Sequence, residues 1–265
     1  MPARLIPLAA ALAALSLATP ASAITWGTRD GTAHPNVGAM MAYWDTDTPT
    51  TLQELCTGTL VAPRVFLTAA HCTDYLLHER GITDVWVTFS TDSAQGPYVH
   101  GVMHQDPGYP GPASDPHDIA VIVLDKRQSL TPARLPAVGL FDRMKADGSL
   151  NQSTAFTAVG YGDGNRQHTS GGGSPEFAYD GFRWRATSFF NALNASWLRL
   201  TQNGSVGAGG TCFGDSGGPN FLGSSDVIAG TTITGDAVCK STNVDYRMDT
   251  REAQDFLAAF GVPRS

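Results

Sequence analysis

Charge is scarce in this sequence: Asp, Glu, Lys and Arg make up 15 % of its 265 residues, against 42 % hydrophobic residues. Intrinsic disorder requires the opposite balance and is excluded for most of the chain. Basic residues are the scarcer sign, with 17 Lys and Arg against 24 Asp and Glu, and no segment gathers them. The basic stripe of a nucleic-acid binder is therefore missing. No Cys-x-x-Cys pair is present, which removes the usual signature of structural zinc. The 29 glycines follow no collagen period. Helical periodicity is confined to one stretch near the C-terminus. What remains abundant is Thr, Ser, Val, Gly and aromatic residues, a composition of short strands and many turns.

The longest uncharged apolar stretch, Leu5 to Ala18, has 14 residues, short of the roughly 20 that span a bilayer. Arg4 precedes it, Pro20 breaks it, and Ala21-Ser22-Ala23 forms an A-x-A cleavage pattern. These features predict a signal peptide over residues 1–23 rather than a membrane anchor. Its removal would expose Ile24 and take the net charge from −7 to −8, because Arg4 is the only charge lost. The four cysteines, Cys56, Cys72, Cys212 and Cys239, all follow this segment. An even number in an exported chain predicts two disulfides, although spacing alone leaves all three pairings open. The expected location is secreted, periplasmic or extracellular, with no membrane contact after cleavage.

Short apolar runs recur at Val37 to Tyr43, Gly58 to Ala62, Arg64 to Ala70, Val85 to Phe89, Ile119 to Leu124, Ala155 to Val159, Trp184 to Phe190, Trp197 to Leu200 and Val227 to Ile233. Most are bounded by Gly, Pro, Asp or Asn, which predicts an all-β barrel or sandwich. Ala253, Phe256, Leu257 and Phe260 fall at helical spacing. Asp249 or Thr250 caps that helix, and Gly261 with Pro263 stops it. Gly160 to Gly164 reads as a turn and Gly171 to Pro175 as a loop.

Three segments carry chemistry together: Leu67-Thr68-Ala69-Ala70-His71-Cys72, His117-Asp118-Ile119-Ala120-Val121, and Cys212-Phe213-Gly214-Asp215-Ser216-Gly217-Gly218-Pro219. A serine hydroxyl becomes a nucleophile when an imidazole removes its proton, and a carboxylate fixes the imidazole's tautomer. The segments supply His, Asp and Ser in that order.

Thr68 to Cys72, Asp118 to Ala120 and Gly214 to Pro219 resemble the three signatures of chymotrypsin/trypsin-like serine proteases, and the resemblance extends from Ile24 to the C-terminal helix. It implies two antiparallel six-stranded β-barrels with a C-terminal helix over residues 24–265, divided near residues 130–150. It implies Ser216 as nucleophile, His71 as general base and then acid, Asp118 as the orienting carboxylate, and the Gly214 and Ser216 N–H groups as an oxyanion hole. Disulfides Cys56–Cys72 and Cys212–Cys239 are likewise implied. The first closes a loop beside His71, and its loop entropy contributes about 3 kcal/mol. Gly210, six residues before Ser216, would lie at the base of the P1 pocket, where trypsin-like members carry Asp. Its lack of a carboxylate predicts apolar P1 residues. A newly exposed Ile24 ammonium would pair with Asp215 and order the oxyanion turn, making signal cleavage the activating step. Protein or peptide substrates and a monomer are implied, with no cofactor and no metal. The alternative is a catalytically silent binding or adhesion protein on the same scaffold.

Gly214 to Gly218 also fits the G-x-S-x-G elbow of α/β-hydrolases and the G-D-S box of esterases. Those families place the triad His after the Ser. None of the seven histidines follows Ser216, so both are excluded. His100 and His104 have metalloprotease spacing, but Gly101 stands where Glu is required, and they read as surface or strand residues. Two departures from the family pattern stand out. The expected Ile-Val-Gly-Gly start is Ile24-Thr25-Trp26-Gly27, and the Ser-Trp-Gly strand of the substrate cleft is missing, its place falling within Gly230-Thr231-Thr232-Ile233-Thr234-Gly235. Asn151, Asn194 and Asn203 begin N-x-S sequons.

Overall fold

Strands buried on both faces explain why the apolar runs of this sequence show so little polar alternation. Successive strand residues point to opposite faces. In the strand Val37–Ala42, Met40 joins a core with Leu60, Phe66, Val87 and Ile122, while Ala39 and Met41 join another with Leu67, Val121 and Tyr161. Each fully buried Leu, Ile or Phe contributes on the order of 1.5–3 kcal/mol.

The computed structural model describes residues 24–47, 50–166 and 176–265. The expected signal peptide and the loop Gly171 to Pro175 lie outside these residues. After a two-residue strand β1 (Thr28–Arg29) come β2 (Val37–Ala42), β3 (Gln53–Ala62), β4 (Val65–Thr68), β5 (Val85–Thr88), β6 (Tyr98–Gln105) and β7 (Ala120–Leu124). Strands β2 to β7 close into an antiparallel barrel in the order β2-β3-β4-β7-β6-β5. A hairpin, β9 (Gly164–Arg166) with β10 (Glu176–Ala178), follows β8 (Ala155–Gly160). The second barrel joins β8 to β11 (Trp184–Leu193), β12 (Trp197–Thr201), β15 (Thr242–Arg247), β14 (Ile228–Gly235) and β13 (Pro219–Leu222), which pairs back to β8. Strand β1 adds to the free side of β11. The two six-stranded antiparallel barrels expected from the sequence are therefore present.

Three of the cores organise the two barrels. Met40, Phe66 and Ile122 fill the first barrel, and Phe141, Phe156, Leu198 and Leu200 fill the second. Between them, Leu67 and Val121 from one barrel meet Phe221, Ile228 and Tyr246 from the other.

The helices are short: α1 (Ala70–Asp74), α2 (Leu140–Ala146) and α3 (Arg251–Ala258). Thr250 caps α3, its Oγ1 accepting from Ala253 N at 3.2 Å. Asp249 instead accepts from Phe141 N at 2.8 Å, bracing the first turn of α2. No described helix is long and apolar enough to cross a membrane. Both disulfides implied by the resemblance, Cys56–Cys72 and Cys212–Cys239, are formed.

Strands β6, β13 and β15 were not among the apolar runs. In β6 the buried Val99, Gly101 and Met103 alternate with outward residues. In β15 the interior is polar: Asn243, Asp245 and Arg247 are all buried. Arg247 offsets its desolvation through Asp249 (Nε–Oδ1 2.9 Å, Nη2–Oδ2 2.9 Å) and Asp142 (2.8 Å). Arg183 does the same with Asp30 (2.9 Å) and the Val37 carbonyl (2.9 Å).

Candidate active site

His71 reaches its place because β4 ends at Thr68, Ala69 stays extended, and the chain turns at once into α1. The disulfide to Cys56 ties that turn to β3. Asp118 immediately precedes the β7 side of the same barrel and is nearly buried. Its Oδ2 lies 2.8 Å from His71 Nδ1, and its Oδ1 accepts from the His71 backbone N–H at 2.9 Å. An ionised carboxylate only accepts, so Nδ1 carries the proton and Nε2 presents a lone pair.

Ser216 belongs to the turn that leads into β13 of the second barrel. Thr57 N donates to its carbonyl at 2.9 Å, and Cys72 Sγ lies 3.9 Å from the same oxygen. Gly217 permits this approach. Its φ is +76°, and a Cβ there would lie 2.2 Å from Thr68 Oγ1 and 2.6 Å from Ala69 N. Only glycine fits both the conformation and the space. The first barrel thus supplies His71 and Asp118, and Ser216 comes from the second.

The turn also aims two donors. A trans peptide points its C=O and N–H in opposite directions. The Phe213 carbonyl accepts from Asp163 N at 2.6 Å, so the Gly214 N–H of that peptide points away from Asp163. The Asp215 carbonyl accepts from Gly218 N at 2.9 Å, which turns the Ser216 N–H the other way. Neither N–H donates to a described residue.

Beneath the turn, Asp215 is fully buried, with Oδ1 accepting from Gly162 N (2.9 Å) and Oδ2 from Cys212 N (2.8 Å). Burial pushes its carboxyl well above the usual range despite those two donors, and the charge of Asp163 adds to the effect. Burial first, and then the charges of Asp215 and Asp163, likewise raise Glu54, whose Oε1 is buried without a partner. Among the described residues, no cation pairs with either group. Ile24 is completely buried and packs with Ala158, Trp184 and Ala186. Two residues beyond Ala158, a Cβ on Gly160 would lie 2.1 Å from Asp215 Oδ1, so Ile24 lies against the strand that abuts this carboxyl.

Gly210 forms a backbone bridge with Thr25 (Thr25 N to Gly210 O 2.9 Å, Gly210 N to Thr25 O 3.1 Å). A Cβ on Gly210 would fall 2.3 Å from Gln202 Oε1. Gln202 therefore fills the space that a side chain at residue 210 would take, and its buried Oε1 has no partner. Nothing in the sequence flags Gln202. Two other carboxylates of the second barrel, Asp236 and Asp245, differ in how far they are engaged: Asp245 Oδ2 is buried without a hydrogen-bond partner. Asp236 accepts from the backbone N–H groups of Lys240, Ser241 and Thr242; burial opposes ionisation there, but these donors outweigh it and hold its carboxyl below the usual range. Asp245 is buried against Asn220 Nδ2 (2.6 Å) and Asn243 Nδ2 (3.1 Å), and burial pushes it up to about 8. The stretch Gly230 to Gly235, within which the missing Ser-Trp-Gly segment would fall, lies in β14, where Gly217 N donates to Thr232 O at 2.8 Å. His100 and His104 lie on β6, where they pair with Asp125 (2.8 Å) and contact the Phe260 ring (5.2 Å) respectively. Asn151, Asn194 and Asn203 are exposed.

The two-barrel fold is that of the trypsin-like serine proteases, and the candidate residues His71, Asp118 and Ser216 lie at its seam. The family model Trypsin matches residues 31–256, and the chain belongs to the trypsin family. Among solved structures, it is similar to HL collagenase at 18 % identity and TM-score 0.64, covering 90 % of this chain and 99 % of that one. It is also similar to neuropsin, a serine protease expressed in the limbic system of mouse brain, at 20 % identity and TM-score 0.65, covering 89 % and 100 %. A search of curated protein sequences finds no match.

Proposed function

We propose that this trypsin-family chain is a secreted serine endopeptidase, one domain over residues 24–265 that is released by cleavage of a signal peptide after Ala23. The observation that carries the reading is the double hold of Asp118 on His71, through ring and backbone together. With Nδ1 protonated, His71 Nε2 takes the Ser216 hydroxyl proton as Oγ attacks the peptide carbonyl. The oxyanion is met by the Gly214 and Ser216 N–H groups. His71 then returns the proton to the departing amine, leaving an acyl-enzyme. Water attacks the ester by the same route in reverse, and the acid product leaves.

Gly210 supports an apolar P1 preference, because it carries no carboxylate for a substrate Arg or Lys and the space beside it is filled by Gln202. The fully buried Asp215 supports activation by the new amino terminus. An uncompensated buried carboxylate costs about 3–5 kcal/mol, and the Ile24 ammonium would supply the missing cation.

Fluorophosphonate labelling tests the reading. Rapid modification of Ser216, abolished in Ser216→Ala, is expected. Absence of labelling in correctly processed protein would show a silent scaffold. Activation is tested separately with a form bearing one extra Met before Ile24, with retention of the Met checked by N-terminal sequencing. A large fall in kcat/KM is expected, and an unchanged value overturns the Ile24–Asp215 pair.

A further inference from the structure

Four side chains from two distant segments meet just behind Asp118. Asp106 opens the loop between β6 and β7, Asp115 and His117 close it, and Glu252 lies in the first turn of α3. His117 Nδ1 is 3.2 Å from Glu252 Oε1 and 3.3 Å from Asp106 Oδ1, and its Nε2 is 4.0 Å from Asp115 Oδ2. Yet Nδ1 is buried and makes no hydrogen bond, and Asp115 Oδ1 is also buried without a hydrogen-bond partner. A nitrogen this close to two carboxylate oxygens, and aligned with neither, points between them.

We propose that Asp115, His117 and Glu252, with Asp106 beside them, form a site for a divalent transition-metal ion that clasps the loop before Asp118 to α3. One donor atom from each of Asp115, His117 and Glu252 lies within 4.8 Å of the others. Ligands at about 2.0–2.2 Å from a zinc ion stand roughly 3–3.5 Å apart, the spacing found around Nδ1. The donor set mixes an imidazole with carboxylates. That mixture suits zinc or manganese, whereas calcium and magnesium call for oxygen alone.

The charge balance asks for a cation. Among the described residues, no Lys or Arg pairs with Asp106, Asp115 or Glu252. The ring is also held in place. A Cβ on Gly108 would lie 2.6, 2.7 and 2.9 Å from His117 Nδ1, Cγ and Cε1, nearly equal distances that put it over the ring face. A Cβ on Gly111 would lie 2.8 Å from Cδ2. The two glycines cradle the imidazole and leave its Nδ1 edge to the carboxylates. His117 itself takes a φ of +52°, a conformation rare outside glycine. Such strain clusters at ligand clamps and switch regions.

The test strips the purified chain with EDTA and titrates it with Zn²⁺, reading stoichiometry by native mass spectrometry, affinity by calorimetry and stability by thermal melts. One ion per chain is expected, with Tm raised roughly 5–10 °C at about 100 times Kd. The double substitution Asp115→Asn with Glu252→Gln should abolish both effects. Should that protein fail to fold, Glu252→Gln alone, at a half-exposed helix position, should weaken Zn²⁺ binding at least tenfold. No bound ion in the unsubstituted chain overturns the site. So does a Tm indifferent to Zn²⁺. Binding of equal affinity after substitution overturns it too, placing the ion at another His–carboxylate pair such as His100–Asp125.

Discussion

Asp118 holds His71 at two points, the backbone N–H at 2.9 Å and ring Nδ1 at 2.8 Å, so one carboxylate fixes both where the imidazole sits and which nitrogen bears its proton. Asp118→Asn leaves one acceptor for two donors. The amide must turn its NH₂ toward either the backbone or the ring, and turning it toward the ring selects the wrong tautomer. A fall in kcat of about 10⁴ is expected with the circular dichroism spectrum unchanged. A tenfold effect would place the base elsewhere.

Ser216 and His71 act on one proton. Ser216→Ala and His71→Ala should each lower kcat by several orders of magnitude, and the double substitution should cost little more than either alone. Single-turnover kinetics on the three proteins give the comparison. Losses that multiply in full would mean that the two residues act independently.

Gln202 fills the space at Gly210. Gln202→Ala should deepen the pocket and shift kcat/KM by about tenfold toward longer apolar P1 side chains relative to Ala. A panel of peptides differing only at P1 reads this out. An unchanged ranking would place the P1 side chain away from Gly210.

Asp245 holds a proton in the fold up to about 8, against an ordinary value of 3.8. The folded state therefore binds more protons than the unfolded chain between these values, and stability falls as pH rises through that window. Below about pH 4 the group contributes no penalty, and above about pH 8 the penalty is complete. Asp245→Asn keeps an acceptor for Asn220 and removes the charge. Urea denaturation at pH 5 and pH 9 should show the substituted protein losing several kcal/mol less between the two conditions. Parallel losses in both proteins would assign the pH dependence to other groups.

The sequence makes the double barrel legible wherever strands are apolar, as in β2, β4 and β7, whose residues serve two cores at once. It hides β15, because Asn243, Asp245 and Arg247 are polar residues made internal by partners that come from β13, α2 and the segment before α3. The candidate triad is readable because each member sits in a short motif with a fixed neighbour. Gln202, Glu54 and the Asp115–His117–Glu252 cluster are not, since Gln202 gains its meaning only from the turn that brings Gly210 against it, and the others from segments far along the chain. Even the α3 cap shows the limit: Asp249 and Thr250 are equally good cap residues by type, and the demand of Phe141 N for an acceptor decides between them.

The Thr25–Gly210 bridge gives the molecule a mechanical unit that no motif announces. The second residue of the expected mature chain is bonded in both directions to the residue at the floor of the proposed pocket. Anchoring the amino terminus and shaping that floor are then one event seen from two ends. Linkage makes such coupling reciprocal: an inhibitor seated on Gly210 tightens the hold on Thr25, so amide exchange in the first residues should slow when the far end of the pocket is filled.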